Sequence, residues 1–240
     1  MPQSKNHRER FVQGLFDDIA GRYDLLNRII SFHMDTVWRR SAIRALELKG
    51  TEKYVLDLGS GTGDSTFAAA KETGNGGRVF GLDFSIEMLR RAQIKRRRLR
   101  HGDRAAFIQG SALQAPFKSA CFDAILTAFV LRNISDLKQF FAEAFRLLKP
   151  GGRLAALDMY PPKQGIFFNL YSFYFHRLMP RIGAGLARNA TAYRYLSDSV
   201  RDFNPPESIG EILAQVGFND VELEKFLKGA VCLHSARKPS

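Results

Sequence analysis

The stretch from Val55 to Lys71 constrains the fold of this chain more than any other. Val55-Leu56-Asp57-Leu58 is an apolar run with one acid, of the length of a buried strand. Gly59-Ser60-Gly61-Thr62-Gly63-Asp64 follows, and Ser65 to Lys71 reads as a helix. Strand, glycine turn and helix bring backbone N–H groups to a ligand at the carboxyl end of an α/β sheet. Glycine has no Cβ, so the turn can take positive φ and a ligand can lie against the backbone.

The glycine spacing selects among ligands. A dinucleotide fingerprint, G-x-G-x-x-G, needs its third glycine at position 64, which holds Asp64. The pattern G-x-G-x-G offers carboxylates, Asp57 and Asp64, where a pyrophosphate would need none. Carboxylates attract cations, and S-adenosylmethionine carries an ammonium and a sulfonium. The other reading is a tight turn that binds nothing. Arg78 to Asp83 is a second strand ending in an acid, and Asp83 lies 20 residues beyond Gly63. Such folds place there the carboxylate that accepts from ribose hydroxyls; an acid in that place also caps helices.

From residue 53, strand signals (53–58, 78–83, 105–109, 122–128, 153–159) alternate with helix signals (64–73, 85–99, 136–148). That order predicts a parallel sheet with helices on both faces. Lys149-Pro150-Gly151-Gly152 reads as the turn ending the last of these helices. A helix over 209–216, a strand over 220–226, a turn at Lys228-Gly229 and a strand over 231–237 predict a closing hairpin. The loop Gly110-Ser111-Ala112 would lie beside a bound base. Residues 1–10 read as a flexible tail and 11–240 as a single domain. Within it, residues 11–48 form helices that pad the sheet or cover the ligand mouth as a lid. Residues 160–196 form an insertion with six aromatics between Phe167 and Phe175, too spread for one helical stripe.

The formal net charge of +12 favours polyanions, either nucleic acid or an anionic membrane surface. Much of it sits in Arg90-Arg91 and Lys95 to Arg100, read as a solvated helix face. No apolar run approaches the roughly 20 residues that span a bilayer. Met1 to Arg10 lacks the apolar stretch of a secretory signal. Cys121 and Cys232 lie far apart in apolar contexts and read as buried free thiols; no metal site is expected. These features point to the cytoplasm, with a peripheral place at the inner membrane face as the alternative.

From Phe16 to Lys238 the chain resembles the UbiE/COQ5 family of quinone C-methyltransferases. The resemblance is carried by Phe16-Asp17-Asp18-Ile19-Ala20-Gly21-Arg22-Tyr23-Asp24, by Trp38-Arg39-Arg40 and by Asp83-Phe84-Ser85-Ile86-Glu87-Met88-Leu89. Leu131-Arg132-Asn133-Ile134-Ser135-Asp136, Leu148-Lys149-Pro150-Gly151-Gly152 and Tyr193-Arg194-Tyr195-Leu196 continue it. The chain departs from the family pattern at Ser111, Ala128, Val130 and Asp158-Met159. The resemblance implies a Rossmann-like, seven-stranded class I methyltransferase that uses S-adenosyl-L-methionine. Its expected cofactor contacts are Asp57, Gly59, Gly61, Thr62, Gly63, Asp83, Ser111 and Ala112. The implied substrate is a prenylated quinol methylated at a ring carbon, with demethylmenaquinol ahead of the ubiquinone-pathway benzoquinol.

A ring carbon is a poor nucleophile until the neighbouring phenol, with its pKa of about 10, ionises. A guanidinium lowers that value. Arg132 is expected to stabilise the phenolate, with Asn133 and Tyr23 orienting the quinol oxygen and His33 as a further proton acceptor. The other reading of Arg132 is an ion pair with Asp136. Residues 166–179 are expected to line the entry of the prenyl tail, with Lys163, Arg177 and Arg181 meeting lipid headgroups in weak contact with an anionic membrane, and a homodimer is left open. A nucleic-acid methyltransferase is disfavoured. Ala128-Phe129-Val130-Leu131 stands where an N/D-P-P-Y/F motif would, and Asn204-Pro205-Pro206-Glu207 comes too late. Another lipophilic acceptor, or cofactor binding without catalysis, stays open.

Overall fold

In β1 (Tyr54–Leu58), Val55 packs with one buried cluster while Leu56 and Leu58 pack with the other. This period-two alternation makes the strand the divide between two cores. A computed structural model describes residues 2–48, 52–161 and 190–240. β1, β2 (Arg78–Asp83), β3 (Ala105–Gln109), β4 (Phe122–Ala128), β5 (Leu148–Met159), β6 (Asn219–Phe226) and β7 (Val231–Arg237) form one sheet, ordered β3-β2-β1-β4-β5-β7-β6. The first five are parallel, and β7 runs antiparallel to both β5 and β6. The chain order reverses direction between β1 and β4, which opens a crevice at their carboxyl ends.

Helices α1 (Pro2–Ile19), α2 (Tyr23–Ile30) and α3 (Met34–Ala45) precede the sheet. Residues 2–10, expected to be a tail, are helical and continuous with the rest of α1. α3 buries Trp38, Ala42 and Ile43 with Val55, Leu157 and Val231. It shares that face with α4 (Asp64–Glu72), which contributes Ala69 and Ala70. The opposite face is covered by Phe140, Phe141 and Leu147 of α6 (Leu137–Leu147) and by Ile209 and Leu213 of α8 (Pro206–Val216). α5 (Ile86–Arg96) and α7 (Ala190–Arg201) are the remaining α-helices among the described residues.

The KPGG segment belongs to β5 rather than to a turn. Phe122 pairs with Leu148, the register shifts, and Ala124 pairs with Arg153. Lys238 caps the preceding helix by donating to the carbonyls of Phe145 (2.7 Å) and Leu148 (2.8 Å). The closing hairpin is present, with β6 and β7 antiparallel around the turn at Lys228-Gly229. Cys232 is buried, whereas Cys121 is partly exposed. Lys163, residues 166–179, Arg177 and Arg181, to which membrane contact was assigned, lie outside the described residues.

Candidate active site

The strand alternation that buries Val55 on the α3–α4 face puts Asp57 there too, 1% exposed beneath the glycine turn. Thr66 of α4 donates to its Oδ2 at 2.7 Å, and Oδ1 has no partner. Burial pushes the Asp57 carboxyl up to about 6. The turn is held to the neighbouring strand by the Gly59 and Ser60 N–H groups, which donate to the Leu82 carbonyl at 2.8 and 3.0 Å. Gly59 has φ +76°, and a Cβ there would stand 2.5 Å from Val130 Cγ2. Asp83 ends β2 and accepts from the N–H of Gly61 (2.7 Å) and of Ser85 (2.9 Å). Burial outweighs those two bonds and raises its carboxyl to about 6.

A cavity of about 290 Å³ opens at the carboxyl ends of β1 and β4. Of the residues assigned to the cofactor, Gly59, Gly61, Thr62, Asp83, Ser111 and Ala112 line it. Asp57 and Gly63 do not. Asp57 supports the turn from below. Gly63 is small because Phe67 and Phe107 leave no room for a Cβ, each at 2.8 Å. Tyr23 and Asn133 line the opposite wall. Asn133 Oδ1 accepts from the Tyr195 hydroxyl of α7 at 3.1 Å. Phe129, which also lines the cavity, holds φ at 65°, a strained value for a non-glycine residue.

Arg132 is buried outside the cavity lining. The acid that pairs with it is Asp158, through Nη1 to Oδ1. Asp136 instead caps α6, accepting from the Gln139 N–H at 3.0 Å. Burial works to lower the Arg132 pKa, but the Asp158 carboxylate and Tyr23 hold it above its ordinary value. The Tyr23 phenol is pushed up by burial, against the Asn27 hydrogen bond and the charges of Arg132 and Arg39. Arg132 therefore acts on this wall by its field rather than by contact. His33 is exposed at the α2–α3 turn and does not line the cavity.

Residues 11–48 divide between the sheet and the cavity. α3 pads the sheet, while Val12, Gln13 and Phe16 of α1 and Tyr23 of α2 roof the cavity. Gln13 Nε2 donates to the Phe84 carbonyl at 3.0 Å, and the Ser85 hydroxyl donates to Asp17. Lys95 is not on a solvated face. Its ammonium meets Asp24 of α2, Asp64 of α4 and the Thr62 hydroxyl, at 2.5, 2.5 and 3.0 Å. Although burial opposes it, Lys95 holds the Asp64 carboxyl below the usual carboxylate range. The charge of Asp64 is thus already paired, and among the described residues Asp83 is the lining carboxylate without a cation partner.

Sequence reasoning missed Arg39, Lys95 and Asp158. Lys95 faces inward from a run that read as solvated, and Arg39 from a helix read by its apolar residues. Asp158 follows four buried residues at the end of β5, the same signal that marked Asp83.

A sequence model described as the ubiE/COQ5 methyltransferase family matches residues 1–238. The chain is 40% identical over 225 residues to demethylmenaquinone methyltransferase of Thermus thermophilus, covering 94% of this chain and 100% of that protein. It is 37% identical to ubiquinone/menaquinone biosynthesis C-methyltransferase UbiE of Geobacter sp., covering 88% of each. Among solved structures, a SAM-dependent methyltransferase from Aquifex aeolicus superposes with a TM-score of 0.59 at 21% identity, over 83% of this chain and 88% of that one.

Proposed function

The chain belongs to the ubiE/COQ5 methyltransferase family, and from that premise we propose that it methylates a ring carbon of a prenylated quinol, demethylmenaquinol in first place. The observation that carries this reading is one cavity in which the cofactor-type turn and Asp83 face Tyr23 and Asn133. S-adenosyl-L-methionine, when bound, supplies an electrophilic methyl group. The residues present fit it: Asp83 is a buried acceptor for hydroxyls, and Ser60 Oγ is a buried polar atom without a partner. The glycine turn supplies a backbone cradle, and Val130 leaves Gly59 no room for a Cβ.

On the acceptor side, Tyr23 and Asn133 orient the quinol oxygen. Asn133 is held in place by the Tyr195 hydroxyl. Arg132, locked by Asp158, adds a positive field that favours the phenolate over the phenol. α1 and α2 roof the cavity and exclude water from the transfer, whose rate then rests on positioning.

We further infer that the protein works peripherally at an anionic membrane surface. The net charge is +12, and Leu25 and Val37 are more than half exposed near the α2–α3 turn. No helix among the described residues is long and apolar enough to cross a membrane. A lipid-borne quinol is reached from that position.

Turnover of labelled S-adenosyl-L-methionine with reduced demethylmenaquinol and with the ubiquinone-pathway benzoquinol, side by side in detergent, tests the reaction. Methylated demethylmenaquinol in excess is expected. No product from either quinol, with cofactor binding intact, would refute the acceptor class. Flotation with anionic but not neutral liposomes tests the membrane inference.

A further inference from the structure

Among the described residues, Arg39 is the one Lys or Arg side chain that lines the cavity. It is 9% exposed, and its guanidinium carbon lies 4.9 Å from the centre of the Phe129 ring. Nη1 donates to the Ser65 hydroxyl at the start of α4. Nε is 3.7 Å from Asp35 Oδ2, beyond hydrogen-bond distance, and is buried without a hydrogen-bond partner. A guanidinium has five N–H donors. Most of these are unused in a place where desolvation makes an unmade bond costly. Arg39 has an ion-pair partner too, Asp35 of its own helix, but among the described residues no carboxylate accepts a hydrogen bond from it, whereas Lys95 is hydrogen-bonded to Asp64 and Thr62 and Arg132 to Asp158, so Arg39 is the lining cation with donors to spare for an anion.

The position of Arg39 identifies which anion. Asp83, Ser111 and Ala112 stand at the β2–β3 end of the cavity, where hydroxyls and a base are received. Arg39 stands at the β1–β4 end with Phe129, and the glycine turn lies between. A donor with a nucleoside at one end and an amino acid at the other spans the two. We propose that Arg39 receives the carboxylate of the methionine end of the bound cofactor, helped by the nine-residue α4 whose amino terminus points the same way. This rests on the reading that the cavity takes S-adenosyl-L-methionine.

Calorimetry with two ligands differing only in that carboxylate tests it, with no turnover required. Wild type is expected to bind S-adenosyl-L-methionine about tenfold to a hundredfold more tightly than its decarboxylated form, the weight of charge-assisted hydrogen bonds. Arg39→Gln should erase that preference by weakening S-adenosyl-L-methionine alone. Unchanged affinity of this variant for the decarboxylated ligand also certifies its fold, and Arg39→Lys should retain part of the preference. Equal weakening of both ligands would make Arg39 structural and overturn the proposal. Unchanged binding of both with a raised KM for the quinol would overturn it too, placing Arg39 at the acceptor. Binding of neither ligand by wild type would refute the cofactor reading itself, a failure that wild type alone reveals.

Discussion

Replacing Asp57 with Asn removes a carboxylate that folding buries with a single hydrogen bond. In the unfolded chain Asp57 titrates as an ordinary carboxyl, and in the folded protein burial raises it to about 6. A raised folded-state pKa gives stability that is fully present below the unfolded value and is lost as pH rises through the folded one. About two pKa units at ~1.4 kcal/mol each amount to ~3 kcal/mol lost between roughly pH 4 and pH 7. Asn keeps an acceptor for the Thr66 hydroxyl, and its amide N–H₂ at the unpartnered Oδ1 position adds a cost independent of pH. The stability difference, variant minus wild type, should therefore climb by ~3 kcal/mol from pH 4 to pH 7, whatever its starting offset. Urea unfolding of both proteins at unit pH steps, without ligand, measures it. A difference that stays flat across that range would refute the placement of an ionisable, poorly solvated carboxylate beneath the turn.

Asp83 must be ionised to accept from two hydroxyls, so S-adenosyl-L-methionine affinity should fall as pH drops through about 6; calorimetry giving equal affinities at pH 5 and 7.5 would count against that role. Asp158→Ala leaves Arg132 buried and unpaired and should destabilise the fold by ~3–5 kcal/mol. Arg132→Met combined with Asp158→Leu should recover most of that in urea unfolding, yet not restore turnover. Gly59→Ala forces a Cβ against Val130 at φ +76° and should cost ~1–3 kcal/mol. Val130→Ala should return part of the loss, and no rescue would argue that the backbone angle alone sets it.

The parallel half of the fold was legible because its signals are local. β2, β3 and β4 begin and end where their apolar runs do, and Asp83 could be placed by counting along the chain. β1 and β5 differ at their edges, β5 because a register shift lets Pro150 and its glycines sit at the start of a strand. The reach of α1 back to Pro2 was not legible, since its first ten residues carry no apolar periodicity of their own. At the site, residues on the glycine turn and on Asp83 were found because backbone geometry dictates them. Arg39, Lys95 and the Arg132–Asp158 pair were missed or misassigned because each depends on which distant segment folds across it. A charge count along one helix finds Asp136 four residues from Arg132; only the fold brings Asp158 there, 26 residues on.

The ammonium of Lys95 joins four separately encoded pieces: α2 through Asp24, the glycine turn through Thr62, α4 through Asp64, and its own helix α5. No one of these contacts has an energy of its own. Removing Asp24 leaves the lysine its other two acceptors, whereas removing the lysine leaves two crowded carboxylates and a hydroxyl facing one another. Losses at the four positions will not add, and double-mutant cycles among them should return coupling terms as large as the single effects. Substitutions at this rim are then tolerated in sets rather than one at a time, so relatives that lack the lysine are expected to lack its acids as well.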